Sequence, residues 1–404
     1  MNGPNLDFMG RFYLRPDVVI YSEWPIEYYG GGERLMIMLL GAFRSLGFKT
    51  QIIDNSRMRV PSRINRESLI EKYGENIKSS IMRKYGVFKP IEQYFPDPNE
   101  IKNGQNSVSL IFLRRFPSNK YIDKLTANHV NLIFCIHGIT FERFRITNPL
   151  IIAHQIIMRI KAHFFAIKIR GNIRVQTLLP DTSKLLIRNG ADPSKVFLIE
   201  NGFDKLSHLP IRNDREFSIV FVGRLENLQK GIGRLRKTIE KLQFESPKLC
   251  FKIIGSGKSS NLLKKLPKNT NWYKNIGDEE KIEIMNNSNL MIITSNIEPY
   301  PRVAIEGLFS GLPLVTTPTS GPEHIISKDA DFGMVSSFSV NDIASHIMEY
   351  FKTWTNDKRE YFELRKRIET RSKEIFDVNK MLTNYGKMVL NAIIEPESKE
   401  SSDC

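Results

Sequence analysis

Short apolar runs rich in Val, Ile and Phe alternate with helix-length segments through both halves of the chain. In the first half these runs occupy residues 17–24, 48–54, 107–114 and 130–138. In the second half the rhythm restarts at residues 216–225 and continues at 249–257, 289–295 and 312–317. Runs of this length are typical of parallel strands buried on both faces. Two β/α series in succession predict an α/β chain with two doubly wound, Rossmann-like domains.

A polar, turn-rich segment at residues 201–216 separates the two series and predicts the domain boundary. We expect an N-terminal domain over residues 1–205 and a C-terminal domain over 206–375. Residues 56–104 interrupt the first series as an insertion, whose part 66–86 is predicted to be helical. A further helix is expected over residues 376–396, and the polar tail 397–404 has the composition of a disordered segment.

The net positive charge is concentrated in the first half of the chain, which has fewer acidic residues. Residues 1–200 carry 29 Lys and Arg against 17 Asp and Glu, whereas residues 201–404 carry 30 against 27. Between Arg143 and Pro180 there are seven basic residues and no acidic one. A field of this sign attracts phosphate groups of lipids, nucleotides or nucleic acids.

Residues 150–170 form an amphipathic pattern when wound on a helix. One apolar stripe consists of Ile156, Ile157, Ile160, Phe164 and Ile167. Its borders are formed by Arg159 and Arg170 on one side and by Lys161 and Lys168 on the other. Two interpretations stay open: the stripe enters the interface of an anionic membrane, or the helix is buried on both sides.

The cysteines and the apolar runs of the sequence indicate the cellular compartment of the protein. Cys135, Cys250 and Cys404 are widely spaced and form no CxxC pair, so we predict neither a disulfide framework nor a structural zinc site. The sequence shows no signal peptide pattern and no uninterrupted apolar run approaching the ~18 residues of a membrane span. We therefore expect a cytoplasmic protein, and without an Asp-x-Asp motif on a suitable loop we expect no bound metal.

Two loops have the composition of phosphate sites. Gly30, Gly31 and Gly32 follow the first strand and open a helix, where backbone amides and the positive end of the helix dipole favour an anion. Arg224 and Lys230 flank the loop after the first strand of the second series, where two cations can clamp a diphosphate. A flexible glycine turn and two solvated surface charges are the alternatives.

Three further side chains are candidates for ligand contacts. Glu298 precedes a helix and Glu306 lies within its first two turns, so both carboxylates can meet the hydroxyls of one ligand. His137 ends an apolar strand and can reach a ligand, although a structural histidine explains it equally well.

Taken in order, these segments resemble the retaining glycosyltransferases of family 4, which have the GT-B fold of two facing Rossmann-like domains with a crevice between them. The segments that carry the resemblance are GGGER at 30–34, the strand ending in His137, residues 175–204, FVGRL with Lys230, IIGSG, and the Glu-x7-Glu segment ending in GLPLVTT. The resemblance covers roughly residues 17 to 390.

The resemblance implies roles for individual residues. The C-terminal domain would bind a UDP-, GDP- or ADP-sugar without a cofactor or metal. Its diphosphate would be met by Arg224, Lys230, the main-chain amides near Arg302 and Val303, and, from the other domain, Gly31 and Gly32. Glu306 would bind the ribose, while Glu298 and His137 would contact the transferred sugar. Transfer would retain the anomeric configuration, and the helix at 376–396 would cross back to the N-terminal domain.

Together these arguments predict a hexosyltransferase-type enzyme that glycosylates a lipid-linked or cell-surface glycan precursor at the cytoplasmic face of a membrane. The anionic membrane surface would be met by Arg159, Lys161, Lys168 and Arg170. A GT-B sugar phosphorylase or a nucleotide-sugar epimerase stays open as an alternative. A basic nucleic-acid-binding protein and a non-catalytic GT-B scaffold are the alternatives from other classes. We expect no nucleic acid partner, because the basic residues are not interleaved with stacking aromatics on one module.

Overall fold

A computed structural model describes residues 17–55, 62–79, 107–113, 116–127, 131–139, 141–142, 149–203 and 215–394. The described residues divide into two compact units. The N-terminal unit takes its residues from the ranges Met1–Ile139, Ile157–Ile199 and Leu382–Cys404. The C-terminal unit takes its residues from Thr140–Ile156 and Glu200–Met381. The predicted domain bounds remain predictions.

The N-terminal unit is built on one parallel sheet of seven described strands. These are β1 Asp17–Ser22, β2 Lys49–Asp54, β3 Ile77–Ser79, β4 Ser107–Leu113, β5 Asn131–Ile136, β6 Ile173–Thr177 and β7 Val196–Leu198. Their order in the sheet is β3-β2-β1-β4-β5-β6-β7. The order reverses between β1 and β4, and ligands of such sheets bind beyond the carboxyl ends of the strands at the reversal.

Helices connect these strands in the N-terminal half of the chain. They are α1 Gly31–Ser45, α2 Arg66–Tyr73, α3 Asn119–Ala127, α4 Pro149–Ala166 and α5 Pro180–Arg188. The helix predicted for 66–86 ends early, because after Tyr73 the backbone of Gly74 turns to φ 59° and the chain enters β3. The rest of the predicted insertion 56–104, apart from 62–79, and the tail 397–404 lie outside the described residues.

The C-terminal unit is built on a second parallel sheet, with six described strands. These are β8 Ser218–Val222, β9 Cys250–Ile254, β10 Thr270–Tyr273, β11 Leu290–Ile293, β12 Leu314–Thr316 and β13 Gly333–Val335. Their order is β10-β9-β8-β11-β12-β13, with the reversal between β8 and β11. The helices that follow β7 are α6 Asn227–Lys230, α7 Ile232–Glu245, α8 Asp278–Asn286, α9 Arg302–Phe309, α10 Ser320–Ile326, α11 Val340–Asn356, α12 Lys358–Ile375 and α13 Val378–Ile394.

Strand β6 carries polar side chains into the interior of the N-terminal unit. Arg174 and Gln176 are both fully buried in a strand that is buried at every position. The Arg174 guanidinium donates to the side-chain and backbone oxygens of Asn391 on α13, at 2.9 and 3.1 Å. Because buried donors need partners, β6 and the second half of α13 stabilise each other.

Helix α4 exposes the apolar stripe that the sequence outlines. Ile156, Ile157, Ile160 and Phe164 are 47 to 54% exposed, and Ile167 just after the helix is 38% exposed. Phe165 and Ile169, which lie outside this stripe, are buried. The interpretation as a helix buried on both sides is therefore wrong. None of the described helices is long and apolar enough to span a bilayer.

Candidate donor site and a second ligand edge

The loops that follow β8, β9 and β11 lie together at the carboxyl edge of the C-terminal sheet. The N–H of Gly223 donates to the carbonyl of Ile254 at 3.0 Å, and the N–H of Leu225 donates to that of Ser256 at 2.9 Å. A Cβ atom on Gly255 would lie 1.9 Å from the Gly223 carbonyl oxygen, so only glycine allows this approach. The loops after β8 and β11 flank the reversal of strand order, which is the expected position for a ligand.

Arg224 and Lys230 lie on the loop after β8, as predicted. Arg224 is exposed, and its Nη2 donates to Gln229 Oε1 at 3.0 Å. Lys230 closes the short helix α6 and is followed by Gly231 at φ 65°. A Cβ atom at Gly231 would lie 2.1 Å from the Thr294 carbonyl oxygen, so glycine is required where the chain turns from Lys230 into α7.

Glu298 lies on the loop after β11 and contacts Lys230. The Lys230 ammonium and Glu298 Oε2 form an ion pair, and the Ser295 hydroxyl donates to the same oxygen at 3.0 Å. Glu298 is 5% exposed. The structure therefore brings together two of the residues that the sequence singled out, one cation and one carboxylate.

The amides of Arg302 and Val303 lie in the first turn of α9, which begins directly after the extended Pro301. Backbone N–H groups in a first turn have no partner within their helix, and the helix dipole places partial positive charge there. The Arg302 guanidinium lies over the ring of Phe203, 5.0 Å from its centroid. This helix end is suited to a phosphate oxygen.

Glu306 lies one turn further along α9 and is paired with a residue that sequence reasoning missed. Lys281 on α8 places its ammonium 2.8 Å from Glu306 Oε2 and 3.2 Å from Asp278 Oδ1. Glu306 is 5% exposed, so Lys281 compensates a carboxylate that is largely removed from water. Lys281 carried no signal in the sequence, because one more lysine on a polar helix reads as a solvated charge.

Glu142 is a second residue that sequence reasoning missed. It is 1% exposed, and its carboxylate accepts hydrogen bonds from the backbone N–H groups of Glu298 and Ser320 at 3.0 and 2.8 Å. Burial raises the pKa of the Glu142 carboxyl from 4.5 to about 7, against the lowering effect of these hydrogen bonds. The only sequence signal was its isolation, since it is the last acidic residue before Asp181.

Glu200 contacts Tyr300, at the end of the loop that follows β11. Its carboxylate contacts Nε2 of His324 at 2.9 Å and the ammonium of Lys328 at 2.8 Å, and the Tyr300 hydroxyl lies 3.5 Å from Oε2. Although burial opposes the charged form, His324 and Lys328 lower the pKa of Glu200. Burial and the neighbouring Glu200 raise the pKa of the Tyr300 phenol well above 10.

In the N-terminal unit, Gly31 and Gly32 form the first two residues of α1. Gly30 is the N-cap, and a Cβ atom there would lie 2.6 Å from the carboxylate of Glu33. Gly31 is exposed and a Cβ atom on Gly32 would meet nothing within 4 Å.

His137 follows β5 and contacts Gln176 and Tyr385 within the N-terminal unit. Its Nε2 lies 3.0 Å from Gln176 Oε1 and 3.1 Å from the Tyr385 hydroxyl. The Gln176 amide nitrogen donates to the carbonyls of Thr177 and Ile199, which orients Oε1 toward the ring. We assign the proton to Nε2, because an amide oxygen can only accept, and this leaves Nδ1 as an acceptor in the neutral ring.

Within the described ranges, no group of three His, Cys, Asp or Glu residues is arranged to hold a metal ion. Cys135 is buried in β5 and burial strongly raises the pKa of its thiol.

The sequence was compared with the sequence models of known protein families. Residues 206–374 match the sequence model of the family described as Glycosyl transferases group 1. This range contains Arg224, Lys230, Glu298, Arg302 and Glu306. No protein with a curated description matches the sequence.

Several solved structures are similar to most of this chain. S. aureus TarM aligns at a TM-score of 0.56 and 18% identity, over 74% of this chain and 56% of TarM. Sucrose-phosphate synthase from Thermosynechococcus elongatus aligns at 0.70 and 13%, over 93% and 99% of the two chains. The pneumococcal O-GlcNAc transferase GtfA, in complex with UDP and GlcNAc, aligns at 0.67 and 12%, over 94% and 100%.

The two parallel α/β units and these similarities confirm the predicted fold class. The prediction of a glycosyltransferase is confirmed at the level of enzyme class by the match over residues 206–374. The chain has the GT-B fold, and its residues 206–374 match the model of the glycosyl transferases group 1 family.

Proposed function

We propose that this protein is a retaining, family 4 type glycosyltransferase that moves a sugar from a nucleoside diphosphate sugar to an acceptor hydroxyl. The observation that carries the proposal is the joint placement of Lys230, Glu298 and the first turn of α9 at one edge of the C-terminal sheet. A cation, a carboxylate and a helix N-terminus match a diphosphate attached to a hydroxyl-rich ring.

Each residue then has a defined task in the transfer. Arg224, Lys230 and the amides of Arg302 and Val303 stabilise negative charge that develops on the leaving diphosphate. Glu298, released from Lys230 when the phosphate takes the ammonium, accepts hydrogen bonds from the sugar hydroxyls. Glu306 accepts hydrogen bonds from the ribose, with Lys281 holding its carboxylate.

In the proposed reaction the bond between the anomeric carbon and the diphosphate breaks, and the acceptor oxygen forms its bond on the same face. The leaving diphosphate oxygen takes the acceptor proton, so retention requires no protein nucleophile. We further propose, from the family resemblance, that His137 contacts the transferred sugar and that Gly31 and Gly32 meet the phosphates. GtfA has been solved with UDP, which supports UDP as the first nucleotide to test.

For the acceptor, we propose a lipid-linked or cell-surface glycan precursor reached at a cytoplasmic membrane face. The support is α4, whose exposed Ile157, Ile160 and Phe164 lie in the segment without acidic residues. Of the four predicted lipid-facing cations, Lys168 contacts Asp123 at 2.5 Å and contributes less free charge than Arg170, which is exposed. Side chains of this mixture bind anionic lipid interfaces.

The donor assignment is tested by thermal shift with UDP, GDP, ADP and their common sugar conjugates. We expect one nucleotide family to stabilise the wild type, and Lys230→Ala and Glu306→Ala to lose that stabilisation. Anomeric analysis of the product by NMR then tests retention. A folded wild type that no nucleotide stabilises would contradict the donor site, and consumption of donor without an acceptor product would favour an epimerase.

A further inference from the structure

The carboxylate of Glu142 joins the ends of two neighbouring strands of the C-terminal sheet. Its Oε1 accepts from the N–H of Glu298 at 3.0 Å, after β11. Its Oε2 accepts from both the N–H and the hydroxyl of Ser320, at 2.8 and 2.9 Å, after β12. One side chain therefore satisfies two backbone donors on separate loops.

Glu142 is itself fixed in place. It is 1% exposed, and its N–H donates at 3.0 Å to Oε1 of Gln155, which is 2% exposed. Gln155 lies on α4, in the part of that helix that belongs to the C-terminal unit. The carboxylate thus acts from a packed, low-dielectric position, where hydrogen bonds are strong and unpaired donors are costly.

The backbone of Glu298 is held from both sides by these contacts. Its N–H meets Glu142, and its carbonyl accepts from the N–H of Gly321 at 3.0 Å. A Cβ atom on Gly321 would lie 2.7 Å from that carbonyl oxygen, so the two strand ends approach as closely as glycine permits. With its peptide groups fixed, Glu298 directs its carboxylate at Lys230 and the Ser295 hydroxyl.

We infer that Glu142 is a positioning residue for Glu298, which it holds in the orientation needed to contact the transferred sugar. Glu142 acts through the backbone of Glu298 and through Ser320, and does not itself bind the donor. The inference rests on the proposed function, because it assigns Glu298 to the sugar. Its consequence is selective: loss of Glu142 impairs handling of the sugar and spares binding of the nucleoside diphosphate.

The first measurement is independent of activity. Hydrogen exchange of the peptides that contain Glu298 and Ser320 is compared among the wild type, Glu142→Gln and Glu142→Ala. We expect at least tenfold faster exchange of both amides in Glu142→Ala, since each loses its acceptor. Glu142→Gln retains one side-chain oxygen and should protect one of the two amides. Unchanged exchange in Glu142→Ala would overturn the inference.

The second measurement separates positioning from general loss of structure. UDP affinity, and turnover of UDP-glucose and UDP-N-acetylglucosamine, are measured for the same variants. We expect UDP affinity within threefold of wild type, a kcat roughly 10- to 100-fold lower in Glu142→Ala, and partial recovery in Glu142→Gln. Equal losses of UDP affinity and turnover would show a merely structural role and overturn the inference.

Two controls keep the result interpretable. Ile347→Val shortens a buried side chain of the core far along the chain on α11, and should lower the unfolding temperature without changing kcat. Glu240→Gln removes an exposed carboxylate of α7 that pairs with Arg236, and should change nothing. If the wild type binds none of UDP, GDP and ADP, the proposed function fails, while the exchange experiment still decides whether Glu142 fixes the loop of Glu298.

Discussion

The ammonium of Lys281 lies 2.8 Å from the carboxylate of Glu306, although the two residues belong to different helices, α8 and α9. Their side chains are only 14% and 6% exposed. For a pair this far removed from water, the loss of one partner costs more than the intact pair contributes. Losing either charge leaves the other without compensation, whereas keeping both holds the Glu306 carboxylate in one orientation for an incoming ribose.

Lys281→Met should therefore lower both stability and nucleotide affinity. We expect about 1–3 kcal/mol of destabilisation, the usual cost of leaving a buried polar group unpaired, and about tenfold weaker binding of the nucleotide that stabilises the wild type. Urea unfolding and isothermal titration measure the two effects. Lys241→Met is the matched control, because Lys241 forms an exposed i,i+4 pair with Glu245 and should change either quantity little. If Lys281→Met binds the nucleotide as tightly as the wild type does, the assignment of Glu306 to the ribose is contradicted.

Gly231→Ala should destabilise the C-terminal unit and disturb Lys230. The residue has φ 65°, and the added Cβ atom would lie 2.1 Å from the Thr294 carbonyl oxygen, so the chain must move. We expect a loss of at least ~2 kcal/mol in urea unfolding. Gly277→Ala is the control, since Gly277 is an extended N-cap with nothing within 4 Å of its Cβ position. Equal stability of the two variants would contradict this close approach.

The stability of the protein should depend on pH through Glu142. Its folded pKa is about 7 against an ordinary 4.5, so the folded state binds the proton more tightly than the unfolded chain does. This contribution is fully present below pH 4.5 and is lost as the pH rises to about 7, by ~3 kcal/mol in order of magnitude. Glu298 is the carboxylate that faces it, paired with Lys230.

Glu142→Gln has no such titration and provides the comparison. Relative to wild type, the variant should gain stability between pH 5 and pH 8 in denaturant unfolding curves. A constant difference over that range would show that Glu142 does not titrate there.

The exposed stripe of α4 should bind anionic vesicles. We expect the wild type to sediment with vesicles of phosphatidylglycerol and phosphatidylcholine at low salt, and to be released as the salt rises. The double variant Ile160→Gln with Phe164→Gln should bind at least tenfold more weakly, because both side chains are about half exposed on one helix face. Phe244→Gln on α7 is the control, as Phe244 is 90% exposed on the other unit.

Other outcomes of this experiment point to other partners. Vesicle binding that is equal in the wild type and the double variant would show that the stripe does not contact lipid. Concentration-dependent dimers lost in the double variant would identify a second copy as the occupant, although two basic faces repel each other.

The strands with continuous apolar runs could be predicted because burial on both faces leaves a direct mark in the sequence. Strand β6 could not, because Arg174 and Gln176 interrupt its apolar pattern, and Asn391, which accepts from the buried Arg174, lies 217 residues away. Strand β3 has three residues and follows a helix, so no periodicity separates it from that helix.

The candidate site shows the same division. Lys230 and Glu298 could be singled out because each lies on a loop that follows an apolar run. Glu142 and Lys281 could not, since each is recognised only by its contact with a residue distant in the sequence, Glu298 and Glu306 respectively. Pairing between side chains is a property of the folded arrangement, and one sequence does not reveal it.

The buried partner of Arg174 has a consequence for how this protein is made. A ribosome completes β1 to β7 well before it reaches α13, yet Asn391 on that helix caps the guanidinium and Tyr385 contacts His137. The N-terminal unit therefore includes a segment, the second half of α13, that is synthesised after the whole of the C-terminal unit. Until α13 leaves the exit tunnel, Arg174 lacks the two hydrogen bonds that Asn391 accepts, and we expect the N-terminal unit to reach its final packing only after the C-terminal unit has been translated.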